Sequence, residues 1–165
     1  MSATPHTHAR LLHGPLWPAW LAAQIGDAKH SIRIYLHRLA QPPSSQHAPM
    51  KPLWAALLAA PSATVHCQLI TPLPPCPHDG LIVGLGAILS LSGAGWDVRY
   101  LSVSPAPVCR LYLFDAQHGA IGDYDMLNSH LNAKHLHALA LLDAACTRTL
   151  EQAFDALWLA GQPRR

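Results

Sequence analysis

The chain predicts an α/β fold in which helices flank a mixed, mostly parallel β-sheet. Three observations carry that expectation. Helix-spaced and strand-spaced apolar patterns alternate along the sequence with short connections, the order that layers helices over a sheet. Residues 109–114 are largely apolar on both faces, as expected of a strand at the middle of a covered sheet. Half of the 165 residues are hydrophobic and 12% are charged, which lets one domain bury roughly two-thirds of its unfolded surface.

Residues 1–10, which include His6 and His8, read as a flexible N-terminal arm; the rest, 11–165, reads as a single domain. Residues 16–30 have a helical rhythm, with Trp17, Trp20, Leu21 and Ile25 near one face. Pro18 falls in the first turn, where its missing N–H costs nothing. Residues 31–36 alternate with period two and read as a strand. Residues 41–52 hold four prolines and two serines and read as a loop. A second helix covers 53–60 and stops at Pro61, and a second strand covers 64–70 before the loop 71–78. The third helix, 81–92, closes on Gly93 and Gly95 and hands over to a strand at 96–101. The strand at 109–114 turns at 116–119 into another near 120–124. A sixth strand falls at 136–142. The last helix, 147–159, is amphipathic, with Leu150, Phe154, Leu157 and Trp158.

Composition narrows the function. The formal charge is +2 and no Lys/Arg cluster appears, whereas a sequence-independent nucleic-acid binder needs several phosphate contacts. Nucleic acid is therefore not the expected partner. Few charges favour an apolar surface used for association, with Trp17, Trp20 and Trp54 as contributors. Cys67, Cys76, Cys109 and Cys146 are widely spread, and no apolar signal segment opens the chain, which points to a reduced, cytoplasmic setting. No stretch approaches the ~20 apolar residues of a membrane span. Residues 81–91 are apolar but short and glycine-rich, which suits a core helix.

The most informative stretch is Pro107-Val108-Cys109-Arg110-Leu111-Tyr112-Leu113-Phe114-Asp115, continued by Ile121-Gly122-Asp123-Tyr124-Asp125-Met126. It resembles the phospholipase D superfamily signature: His-x-Lys, four residues, Asp, then a turn and Ile-Gly-Ser-x-Asn. Asp115 and Gly122 agree with it. Arg110 stands in place of the lysine, Val108 of the nucleophilic histidine, Asp123 of the serine and Asp125 of the asparagine. The helix-to-strand passage 25–34, the glycine turn 95–99 and the ending 154–158 resemble flanking parts of the same domain. The resemblance implies a phospholipase D-like sandwich. It also implies a half-site completed by a partner, since family members with one signature per chain usually dimerise to place two signatures face to face. The partner is a second copy or a different protein retaining the histidine. Valine cannot attack phosphorus, so the resemblance is to a degenerate member.

Residues two apart on a strand share a face. Val108 therefore lines up with Arg110, Asp123 with Asp125, and His135 with His137. By their spacing to Leu142-Asp143, the histidines fall where the family often has Asn-x-Glu. The expected pocket holds Arg110, Asp123, Asp125, His135 and His137. Two carboxylates and two imidazoles suit a divalent metal such as zinc, copper or iron, while Arg110 alone suits an anion. Solvated strand ends, or carboxylates paired to Arg110, account for the same residues without a ligand. Cys109 alternates away from the pocket and reads as a core thiol. His118 lacks a lysine two residues on, and Cys76-Pro77-His78 is explained by its proline-rich loop. No phosphate loop, Ser-His-Asp spacing or His-Glu-x-x-His motif is present. Three functions remain open: assembly as a dimer or accessory subunit, a repurposed metal site, and residual phosphodiesterase or nuclease activity with Arg110 holding phosphate.

Overall fold

The computed structural model describes residues 9–13, 16–36, 50–72, 82–101, 109–123, 137–141 and 144–163. The chain runs β1 (Ala9–His13), α1 (Leu16–Asp27), β2 (Ser31–Tyr35), α2 (Lys51–Ala59), β3 (His66–Pro72), α3 (Ile82–Gly93), β4 (Asp97–Leu101), β5 (Arg110–Phe114), β6 (His118–Gly122), β7 (His137–Leu141), α4 (Ala144–Ala160) and β8 (Gln162–Pro163). The strands form one eight-stranded sheet in the order β1-β7-β6-β5-β2-β3-β4-β8.

The sheet is mixed, as expected, but not mostly parallel. Among the described strands, only β2–β3 and β3–β4 pair in parallel. The pairs β1–β7, β2–β5, β4–β8, β5–β6 and β6–β7 are antiparallel. The physical reason lies in the connections. A parallel pair needs a crossover long enough to bring the chain back to the same end, and α2 and α3 supply the two that exist. Strands β5 and β6 are instead joined by the tight turn at Asp115–Gln117, and such a reversal makes antiparallel neighbours. The alternation of helix and strand patterns was right, but it did not fix strand direction in the second half.

Helices α1, α2 and α3 cover one face of the sheet and α4 covers the other. On the first face Trp17, Leu21 and Ile25 of α1, Leu53 and Leu57 of α2, and Ala87, Ile88 and Leu91 of α3 join Ile32, Ile34, Leu69, Val98, Tyr112 and Phe114 in one cluster. Trp17 stands edge-on to Tyr112 with ring centroids 4.9 Å apart, and stacks on Trp20 at 5.6 Å. The opposite cluster is smaller: Tyr35, Ile70, Leu101, Leu111 and Leu113 close on Phe154 of α4. Two arginines tie α4 down. Arg33 reaches Asp155 at 3.2 Å and Glu151 at 3.6 Å. Arg99 donates to the Trp158 carbonyl at 2.8 Å and lies over its ring at 4.3 Å.

Several details correct the sequence reading. Trp17 is a core residue, 1% exposed, and Trp20 and Trp54 pack against that core, so none of the three forms an open apolar surface. Strands β1 and β8 at the two sheet edges were not anticipated; Ala9 and Arg10, assigned to the arm, lie in β1, and residues 1–8 fall outside the described residues. Helix α2 begins at Lys51, with Pro52 in its first turn, where proline is tolerated. Gly95 follows α3 with φ +108°, a left-handed conformation suited to glycine, and a Cβ there would meet the Pro61 side chain at 3.2 Å. No described helix is long and apolar enough to cross a membrane.

Candidate functional site

Of the stretch 107–126, residues 110–122 form β5, its turn and β6, at the centre of the sheet. Leu111, Tyr112, Leu113 and Phe114 are all buried, as the two-faced apolar pattern requires. Arg110 opens β5 and pairs with Gly122 at the end of β6. Gly122 in turn pairs with Ala138, and His137 pairs with His13 of β1. Because Tyr35 pairs with Leu111, the carboxyl ends of the parallel strands β2, β3 and β4 lie at this same end. In mixed α/β sheets the carboxyl ends of parallel strands are a common place for ligand sites.

The backbone register thus brings Arg110, Asp123 and His137 to one end of three adjacent strands. Arg110 is half-buried and Asp123 exposed, and each makes an interaction within the chain. Val108, Asp125 and His135 lie outside the described residues. Among the described residues, no group of three or more His, Cys, Asp and Glu side chains is placed to hold a metal. His13, which the sequence reading passed over because it missed β1, is the additional chemistry-bearing residue at this end.

The other end of β5 is held by Asp115. The chain leaves Phe114 through Asp115 at φ +52° and Ala116 at φ +58°, and the Gln117 N–H closes the turn on the Phe114 carbonyl at 3.0 Å. Aspartate tolerates this left-handed region better than most residues. Its carboxylate accepts three backbone hydrogen bonds, from Lys29 to Oδ2 and from His30 and Ser31 to Oδ1, each 2.8 Å. The Asp115 N–H donates back to the Ser31 carbonyl at 3.0 Å. Partial burial pushes this carboxyl up, but the three amide donors and the neighbouring His30 outweigh it, so it titrates below the ordinary 3.8. Asp115, the acidic member of the signature, therefore staples the β5–β6 turn to the entry of β2, a strand's length from Arg110.

Two cysteines differ in kind. Cys67 is buried, and burial pushes its thiol up to about 12, which leaves it protonated and inert. Cys109, expected in the core, is exposed, because β5 begins one residue later, at Arg110. His118 is exposed across the turn from Phe114, and Cys76-Pro77-His78 lies outside the described residues. A cavity of about 370 Å³ opens at the amino ends of β2–β4, lined by His30, Arg33, His66, Gln68 and Asp97 among others. It lies at the opposite end of the sheet from Arg110.

The architecture matches solved structures over nearly the whole chain. A phospholipase D family member, Nuc from Salmonella typhimurium, superposes with a TM-score of 0.75 over 95% of this chain and 99% of that one, at 15% identity. The fold is phospholipase D-like. NucT from Helicobacter pylori agrees with a TM-score of 0.62 and 11% identity, covering 94% of this chain and 98% of its own. Polyphosphate kinase from Porphyromonas gingivalis contains the same unit: 95% of this chain matches 27% of that one, with a TM-score of 0.69 and 13% identity. No family model matches the sequence, and no curated protein matches it. The phospholipase D-like assignment of the fold therefore rests on three-dimensional agreement.

Proposed function

We propose that this chain is a phospholipase D-like protein that has lost histidine-dependent chemistry and acts by assembly, as a homodimer or as an accessory subunit of another protein. One observation carries the reading: Val108 stands two residues before Arg110, where the resemblance calls for the attacking histidine. A half-site with a cation and no nucleophile can hold a phosphate oxygen but cannot form the covalent intermediate. Loss of a nucleophile typically removes on the order of a million-fold in rate. Assembly is the remaining use of a scaffold whose relatives in resemblance pair their signatures.

Two measurements on the intact protein test this. Bis(p-nitrophenyl) phosphate should turn over no faster with the protein than with its Arg110→Ala variant. Turnover that Arg110→Ala abolishes would instead establish a residual phosphodiesterase with another attacking group. Light scattering on a sizing column should report a dimer or a stable complex with a co-purifying chain. A strict monomer that captures nothing would sink the assembly reading.

A second reading has support from strand register. With Gly122 beside Ala138 and His137 beside His13, the backbone brings residues 123, 137 and 13 to one sheet end, and Asp125 and His135 stand two residues from Asp123 and His137 in the sequence. This donor chemistry fits zinc, copper or iron. Protein purified without chelators should then carry about one metal per chain by elemental mass spectrometry, falling to none in Asp125→Ala. A metal-free protein after incubation with all three ions would discard the site.

A further inference from the structure

Helices α1, α2 and α3 each run into the parallel strand that follows, so their carboxyl termini converge on the amino ends of β2, β3 and β4. A helix presents about half a unit of negative charge at that terminus, which a lysine or arginine in the last turn complements. None of the three has a basic residue there. The cavity of about 370 Å³ opens at this convergence. His30 after α1, Pro61 after α2 and Gly95 after α3 all line it, so the three termini border one space. Lys29 also follows α1 but does not line the cavity.

The strands add to the same sign. Their register sets Ser31 beside His66, and Arg33, Gln68 and Asp97 side by side on β2, β3 and β4, and all five line the cavity. Arg33 is the one lysine or arginine among the described lining residues, and two carboxylates already hold it, Asp155 at 3.2 Å and Glu151 at 3.6 Å. The Asp97 carboxylate is exposed and has no hydrogen-bond or ion-pair partner among the described residues. Three carboxylates thus stand against one guanidinium. An ammonium offers three donors, and Asp97, the Gln68 side-chain carbonyl and the Ser31 hydroxyl are acceptors for them. A quaternary ammonium is instead held by aromatic faces, and no Phe, Tyr or Trp is among the lining residues. The described side chains form no metal-holding group. The volume falls in the ~300–1,000 Å³ range of small-molecule sites.

We propose that this cavity is a binding site for a small primary amine, whose ammonium group pairs with Asp97 and Gln68 where the three helix termini meet. The site lies at the opposite end of the sheet from Arg110 and is independent of the assembly reading. Titrating the full chain with n-butylamine, followed by amide chemical shifts at constant pH and ionic strength, tests it. The shifts should saturate and centre on the amides of residues 66–68 and 95–97. Asp97→Asn keeps the shape and removes the charge, and Gln68→Met keeps the length and removes the carbonyl. Each should weaken binding about tenfold, the loss of one charge-assisted hydrogen bond, with circular dichroism checking that each variant is folded. Tetramethylammonium should leave the spectrum unchanged. Shifts that never saturate, or saturate elsewhere on the sheet, overturn the proposal, as does n-butylamine binding that neither variant weakens. Tetramethylammonium binding as tightly as n-butylamine overturns recognition of a hydrogen-bonding ammonium. Inorganic phosphate that binds here in place of the amine, and more tightly after Asp97→Asn, assigns the cavity to anions and overturns the proposal as well.

Discussion

Replacing Asp115 with alanine should cost about 2–4 kcal/mol of stability, a fall in Tm of about 5–12 °C for a chain of this size. The figure is set below the sum of three charge-assisted hydrogen bonds because the carboxylate is only partly buried and water would recover part of the loss. Alanine also has to occupy φ +52° without the local hydrogen bonding that makes aspartate tolerable there. Asp115→Asn keeps the shape and loses the charge, so it should fall between the two. The same residue sets an acid limb. Its carboxyl titrates below its ordinary value in the folded chain, so the unfolded chain takes up the proton first as pH drops. The contribution is complete above about pH 5 and is lost as pH falls through the unfolded and then the folded value. The gap in Tm between the unaltered protein and Asp115→Ala should therefore narrow between pH 7 and pH 2, leaving at the acid end only the pH-independent cost of alanine in the turn. Curves that stay parallel throughout would show that the clamp is not what the carboxylate contributes.

Phe154→Ala should be the most damaging single change on the α4 face, at about 3–5 kcal/mol for deleting a fully buried aromatic side chain. The three-helix face has many anchors, but the opposite cluster has one helix, and Phe154 is the buried residue by which that helix enters it. Its ring stacks on Trp158 at 5.9 Å and lies under the Arg33 guanidinium at 5.8 Å, so the loss also loosens the two arginine ties. Hydrogen exchange should show α4 amides opening before those of β2 and β5. Uniform acceleration across the sheet would mean that α4 and the sheet unfold as one unit, contrary to this expectation.

The fold was largely legible because its signals are local. Strand β5 announces itself by being apolar at every position after its opening arginine, α4 by its 3.6-residue spacing, and α3 by an apolar run ended at Gly93 and Gly95. What failed was non-local. Strand direction after β4 depends on how the chain returns, and period-two alternation is the same in parallel and antiparallel strands. β1 and β8 are too short and too mixed to stand out, and they become strands only because β7 and β4 offer an edge. At the site, the strand register places Arg110 and Asp123 at one sheet end. The role of Asp115 was invisible, since its partners are the amides of Lys29, His30 and Ser31, some 85 residues earlier, and amides have no sequence signature. The core assignment for Cys109 failed by a single residue at the start of β5.

One consequence of the placement of Asp115 concerns how such a chain can change over time. The signature reads as one motif, yet its arginine and its aspartate sit at opposite poles of β5, about 16 Å apart for a five-residue strand. At that distance substitutions at the two poles are energetically independent to first order. Residues at the arginine pole can be exchanged freely without the turn at the aspartate pole sensing it. A protein built this way can exchange the side chains at its arginine pole one at a time and stay folded throughout, because the turn that fixes the strand is anchored elsewhere.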